Sequence, residues 1–435
     1  MCKEVVSVKR KAEGKLLDWK ADPNRKPLLL SGARQVGKTY LLRQFAREHY
    51  PSTAYFNLEA EPAIAALFEE DLDPARLIRY MEISAGQRIL PGETLLILDE
   101  IQSCERALTS LKYFCEEAPE YHVAAAGSLL GVAVNRERYS FPVGKVDLMT
   151  LYPMDFEEYL WAGGKELLAE AIRSAFQSIE PFPESLHTEA VSLYREYLLV
   201  GGMPAAVTAF TEHGSFLDAR EQQTAILNNY VADMAKYASA SESVRIRACF
   251  ASIPAQLAKE NHKFQYKVVR RGGSAAMFGA SIEWLELAGL VNRCWRLEQP
   301  VHPVAVYRDP SAFKLYMGDV GLLSAQTGIS AENVLNAQGD FIGALTENYV
   351  AQQLTAAGRT LCYWESGGIA EVDFILENGA AVVPLEVKRG EHVRSRSLNV
   401  YREKYHPPVS VRLSLRNFGE SDGIRSVPLY AAFCL

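Results

Sequence analysis

Between Ser31 and Thr39 the chain reads SGARQVGKT, two glycines followed by a lysine and a hydroxyl residue. That spacing suits a polyphosphate. Gly32 and Gly37 keep side chains out of the ligand's way, and the amides running through Ala33, Arg34, Gln35 and Val36 into the next turn at Tyr40 are placed to face phosphate oxygens. Lys38 would reach the outer phosphates and Thr39 would offer its hydroxyl to a magnesium ion. Further on, TLLILDEIQ (Thr94 to Gln102) ends an apolar run in two acids. Asp99 is expected to hold the magnesium or its waters, and Glu100 to orient and polarise an attacking water. Binding alone needs only the first acid, so the pair points to hydrolysis of a nucleoside triphosphate. The competing reading is a strand end whose solvated acids open a surface loop.

A second set of chemically capable residues lies near the carboxyl end. Glu347 falls in FIGALTENYVAQQL, Asp373 in EVDFIL, and Glu386 and Lys388 in VVPLEVK. Glu386 and Lys388 are two apart on an expected strand and so face one side. Asp373 and Glu386, helped by Glu347, have the oxygen chemistry to coordinate magnesium, and Lys388 could stabilise charge or position water for phosphodiester cleavage. A salt-bridged sheet edge explains the same letters.

Each set needs elements to hold it. Leu28, Leu29 and Leu30 read as a strand feeding the glycine turn, with a helix after it. TAYFNLE (Thr53 to Glu59) and YHVAAAGS (Tyr121 to Ser128) read as further strands; PAIAALFEEDLDPARLIRYMEI and ERALTSLKYFCEEA read as helices between them. This alternation predicts a mostly parallel sheet covered on both faces. Ser128 is then either a contact to the terminal phosphate or attacking water, or a plain turn serine. Arg136 and Arg138, in VNRERYSFPVGK, are candidates for the arginine that transition-state charge calls for, set against ordinary surface charge. The next run, DLMTLYPMDFEEYLWAGG, reads as a strand passing through Pro153 into an amphipathic helix.

The middle region reads as helix-rich, with Gly201, Gly202 and Pro204 making a corner. Short helices followed by the strand-like runs LVNRCWRL and AVYR are compatible with a small winged helix, which could touch DNA or pack on a partner. FKLYMGDVGLLSAQTG combines Lys314 and Asp319 with a glycine turn and reads first as a structural junction.

With 435 residues, 48% hydrophobic and 23% charged, the chain is globular and long enough for two or three domains. A net charge of -7 argues against a wholly basic nucleic-acid surface without excluding a local basic groove. Neither a spanning segment nor an amino-terminal signal pattern is legible, so a cytoplasmic protein away from membranes is expected. The seven cysteines show no Cys-x-x-Cys pair, which argues against a metal knuckle or disulfide framework. Lys9, Arg10 and Lys11 form a small basic cluster, read as a solvated face before a nucleic-acid contact.

The order of these motifs resembles a family of prokaryotic AAA-like ATPases that carry a carboxy-terminal domain called DUF4143. GARQVGKT, LLILDEIQ, AAAGSLLG and LYPMDFEEYL are similar to its nucleotide-domain signatures; YLLVGGMPAAV, KLYMGDVGLL, YWES, EVDFIL and LEVKRG are similar to its later ones. The resemblance implies ATP as the nucleotide, with Mg2+, and a sensor-like role for Ser128. It also implies a restriction-endonuclease-like terminal domain, although EVDFIL lacks the Pro-Asp opening of the nuclease pattern. The expected architecture is α/β: an AAA-like P-loop ATPase domain over 1–164, a helical and winged-helix region over 165–335 and a restriction-endonuclease-like domain over 336–435. The expected function is Mg-dependent ATP hydrolysis driving or gating a conformational change, with DNA, a regulatory protein or further subunits as candidate partners. An ATP-regulated metal-dependent nuclease and a nucleotide-gated protein-binding switch are the alternatives.

Overall fold

In the computed structural model, the residues described are 9–128, 142–236, 238–259, 262–390 and 396–435. They form two compact units. One comprises Lys9–Tyr152 with Leu287–Gly289, and the other comprises Pro153–Glu286 with Leu290–Leu435.

The smaller unit opens with helix α1, Ala12–Ala21, and then builds its sheet. Its strands are β1 (Leu28–Ser31), β2 (Ser52–Asn57), β3 (Thr94–Asp99), β4 (His122–Ala126) and β5 (Asp147–Thr150), in the order β2-β3-β4-β1-β5. All of these pairings are parallel. The sequence dictates this: Leu28, Leu29 and Leu30, and every residue of β3 and β4, are buried, as a sheet covered on both faces requires. Each fully buried leucine contributes about 2 kcal/mol of transfer free energy.

Helices α2 (Lys38–His49), α3 (Pro62–Glu70), α4 (Pro74–Ala85) and α5 (Glu105–Glu117) provide the crossovers. The run expected as one helix between β2 and β3 is two. Asp73 caps α4 by accepting from the Ala75 amide at 2.9 Å, and Pro74 takes the first helical position, where its missing N–H costs nothing. Phe68, Leu77, Met81, Leu98, Leu111 and Phe114 pack into the core beneath these helices.

The larger unit is helical in its first half, with helices at Glu184–Val200, Pro204–His213, Phe216–Lys236 and Ala240–Leu257. The Gly201–Gly202 corner separates the first two, and a side chain on Gly202 would lie 2.0 Å from the Met154 carbonyl oxygen. Asp319 pins this corner from inside: its carboxylate accepts from the Gly202 amide at 2.6 Å, the Leu322 amide at 2.9 Å and Gln352 Nε2 at 3.0 Å. The junction read from Asp319 is thus a buried polar hub.

Two sheets follow. β6 (Val291–Leu297), β7 (Arg308–Met317), β8 (Cys362–Ser366) and β9 (Ala370–Val372) pair in the order β7-β6-β8-β9. β10 (Phe374–Asn378), β11 (Ala381–Val387), β12 (Ser410–Ser414), β13 (Gly419–Ser421) and β14 (Ile424–Pro428) pair in the order β10-β11-β12-β14-β13. AVYR does not form a strand. Val304–Tyr307 is a short 3-10 helix, closed by a bond from the Val306 amide to the Pro303 carbonyl at 3.2 Å, and β7 begins only at Arg308. No described helix is long and apolar enough to cross a membrane.

Candidate functional site

The glycine turn leaves the carboxyl end of β1, where open α/β sheets place their ligands. Gly32 must be glycine on two counts. Its φ is +143°, and a Cβ there would stand 2.2 Å from the Leu151 carbonyl oxygen. Gln35 and Gly37 also have positive φ, at 67° and 95°, so the backbone curls and its amides gather toward one point. Helix α2 starts at Lys38 with Gly37 as its N-cap residue and no side-chain cap, which leaves its first amides available to an anion. Tyr40 lies in that first turn and is exposed.

Lys38 is buried, and its ammonium donates to the Gly32 carbonyl at 2.9 Å and the Ala33 carbonyl at 2.8 Å. Burial pulls its pKa down to about 8, against the opposing pull of Glu100 and Asp99. The ammonium therefore waits inside the curl, held by the carbonyls of the loop it serves.

The second strand end meets this turn directly. Thr39 Oγ1 donates to Asp99 Oδ2 at 2.8 Å, and Tyr55 on β2 donates its hydroxyl to the same oxygen at 2.8 Å. Asp99 Oδ1 accepts from the Glu100 amide at 3.0 Å. A hydroxyl and a carboxylate converging in this way supply only hard oxygen donors, the chemistry a magnesium ion takes. Glu100 has φ 51°, in the left-handed region that a non-glycine residue rarely adopts, and Gln102 Nε2 donates to its Oε2. Ser128 is buried just beyond β4, the strand between β1 and β3. Lys38, Thr39, Asp99, Glu100 and Ser128 thus share one end of one sheet. Arg136 and Arg138 lie outside the described residues.

Two residues join this site that motif reading did not single out for it. Arg10, expected on a solvated face, is buried, donating to the Val36 carbonyl at 3.0 Å and the Tyr152 carbonyl at 2.6 Å. It ties the middle of the glycine turn to the segment after β5. Tyr55 is the other, and Arg43 stacks over its ring at 4.9 Å. The available signal for Tyr55 was its place near the end of a strand beside the one bearing Asp99.

The carboxy-terminal acids are organised differently. Glu347 sits in the helix Ile342–Ala356, Asp373 between β9 and β10, Glu386 at the end of β11 and Lys388 just past it. Lys388 pairs with Glu386 at 3.2 Å, and Asp373 Oδ2 accepts from the Val387 amide at 2.7 Å. Glu347, however, is engaged by other groups. Its Oε1 accepts from Lys314 Nζ at 2.8 Å and from the Tyr316 hydroxyl, while its Oε2 bonds His262 Nδ1 at 2.8 Å. Burial alone would raise the Glu347 pKa, but Lys314 and His262 hold it below the ordinary carboxylate range. Burial and the charge on Glu347 push Asp373 up to about 7.

Among the described residues, the acids and histidine whose ligand atoms all lie within 4.8 Å of one another are Glu13, Glu48 and His49 in the smaller unit. Glu347, Asp373 and Glu386 form no such set.

Residues 24–160 match the family model described as an AAA domain, residues 191–333 match a domain of unknown function, DUF8612, and residues 342–432 match a domain of unknown function, DUF4143. The chain thus carries an amino-terminal AAA+-type P-loop ATPase domain and a carboxy-terminal DUF4143 domain. No curated protein matches it. Among solved structures, the Walker-type ATPase PABY2304 of Pyrococcus abyssi aligns at 15% identity, over 74% of this chain and 96% of that one, with a TM-score of 0.46. The Aeropyrum pernix ORC2 protein aligns at 12% identity, over 78% and 97%, with a TM-score of 0.40.

Proposed function

We propose that this protein is a magnesium-dependent ATPase whose cycle of binding and hydrolysis drives a conformational change read out by its later domains. The observation that carries this reading is the 2.8 Å approach of Thr39 Oγ1 to Asp99 Oδ2, in an AAA+-type domain match, beside a lysine already seated in the glycine turn.

In this reading the amides from Gly32 to Tyr40 bind and orient the triphosphate, and Lys38 exchanges its two loop carbonyls for the outer phosphate oxygens. Thr39 and Asp99 would hold Mg2+, which when bound neutralises charge on the transferring phosphoryl group. Glu100 takes a proton from the attacking water, and Ser128 contacts the terminal phosphate.

A winged helix in the middle region is supported by helices Ala240–Leu257, Tyr266–Val269 and Ala275–Leu287 followed by the antiparallel pair β6 and β7, with an isolated bridge from Lys263 to Lys314. A restriction-endonuclease-like scaffold is supported by the helix Ile342–Ala356, the antiparallel β10–β11 pair, the helix Arg396–Tyr405 and the parallel β11–β12 pair. Among the alternatives, a nucleotide-gated switch that does not cleave is favoured by the engagement of both Glu347 oxygens by protein donors.

Steady-state phosphate release, with and without duplex DNA, tests the proposal. Turnover in the wild type, lost in Lys38→Ala, is expected; equal rates in the two folded proteins would overturn it. Stimulation by DNA would identify DNA as a partner, and its absence would direct the output toward a protein.

A further inference from the structure

Lys314 is fully buried. It is 0% exposed, projects from β7 beside Tyr316 on the same face of the strand, and ends between acids from two separate elements. Its Nζ lies 2.8 Å from Glu347 Oε1 and 2.6 Å from Glu371 Oε1, with the Tyr363 ring 5.1 Å away. A buried lysine is stable as an ammonium only when such partners surround it.

These are the acids that a divalent cation would need. Three donors already engage the oxygens of Glu347, and the ammonium bridges Glu347 and Glu371. Of the other two acids, Asp373 Oδ2 accepts from the Val387 amide at 2.7 Å, and Glu386 Oε1 pairs with Lys388 at 3.2 Å while its buried Oε2 has no protein partner among the described residues. The ligand atoms of Glu347, Asp373 and Glu386 do not all come within 4.8 Å of one another, so these acids do not converge on one magnesium ion, which takes six or so ligands. The residues present therefore do not fit the metal that a nuclease reading of this region requires.

We propose that the Lys314 ammonium is the resident cation of the Glu347 and Glu371 pair, a side chain serving in place of a divalent metal, so that the terminal region operates without one. A covalently tethered cation cannot dissociate or be chelated, and its single charge on a fixed stem cannot activate water as a metal does. The cluster then serves to tie β7 to the helix Ile342–Ala356 and to β9, and it gives the terminal domain no metal-dependent cleavage from these acids.

The test uses the full chain without nucleotide and Mn2+ as the probe, read by hydrogen exchange of peptides covering 342–356 and by counting bound Mn2+. Added Mn2+ should leave exchange in that helix unchanged in the wild type. Lys314→Met, which keeps the stem and removes the charge, should gain a Mn2+ site that slows exchange there. Lys314→Met combined with Glu347→Gln should lose it again. Slowed exchange in the wild type would overturn the proposal, as would a folded Lys314→Met variant that gains no site. If Lys314→Met does not fold, the wild-type measurement decides alone, because a cluster that binds Mn2+ cannot already be filled by lysine.

Discussion

Tyr55 and Thr39 donate to one and the same oxygen, Asp99 Oδ2, each at 2.8 Å. Asp99 is thereby clamped from two elements, with Thr39 reaching it from the turn after β1 and Tyr55 from the neighbouring strand β2. An acid meant to hold a metal is most useful when its rotamer is fixed beforehand.

Tyr55→Phe removes one of the two clamps and leaves the ring in place. Loss of one such bond is worth about 1 kcal/mol, roughly fivefold. We expect the half-saturating Mg2+ concentration for ATP turnover to rise by about that factor. A purely structural tyrosine would lower the melting temperature and leave the Mg2+ dependence where it was.

Gly32→Ala places a methyl group 2.2 Å from the Leu151 carbonyl oxygen at a φ of +143°. Backbone must move, at a cost of about 3 kcal/mol or more. Chemical denaturation should show the ATPase unit destabilised by that amount, and any folded remainder should bind ATP more weakly.

Lys38 predicts a pH dependence of its own. Burial lowers its pKa to about 8, so the free protein loses this positive charge as pH rises through 8, whereas bound phosphate would keep the lysine protonated. ATP affinity should therefore fall above pH 8, at up to about tenfold per unit, with proton uptake on binding. Calorimetry in buffers of differing ionisation enthalpy measures both. Lys38→Met should flatten the profile.

His122 sets a limit on the acid side. It is buried and lies 2.7 Å from the Tyr50 hydroxyl; burial first, and then Arg25 and Lys20, pull its pKa down to about 4. An unfolded histidine takes its proton near 6.5, so the stability it contributes is complete above that value and is lost as pH falls toward 4. The total is about 3 kcal/mol. The stability gap between wild type and His122→Gln should narrow across that window.

The part of the site that lies within short stretches of chain was legible in the sequence. Gly32 to Thr39 and Asp99 with Glu100 each sit at the end of a continuous apolar run, and such runs mark buried parallel strands. Arg10, Tyr55 and Lys314 were not assigned these partners, for a shared reason. Each acts through a partner far along the chain, on Val36 and Tyr152, on Asp99, and on Glu347 and Glu371. A lone arginine, tyrosine or lysine carries no periodicity that names its partner. Similarly, Glu347 has the residue type of a metal ligand, whereas its environment is set by Lys314 and Tyr316 on β7 and by His262. The break between α3 and α4 could have been read, since Asp-Pro before an apolar run is a helix start.

The most direct test of the ATPase account is Glu100→Gln, assayed together for ATP binding and for turnover. Binding near the wild-type level with turnover reduced by about a hundredfold or more is the predicted result, because the variant keeps the cradle and Asp99 but loses the group that polarises water. Wild-type turnover in a folded Glu100→Gln protein would contradict the account.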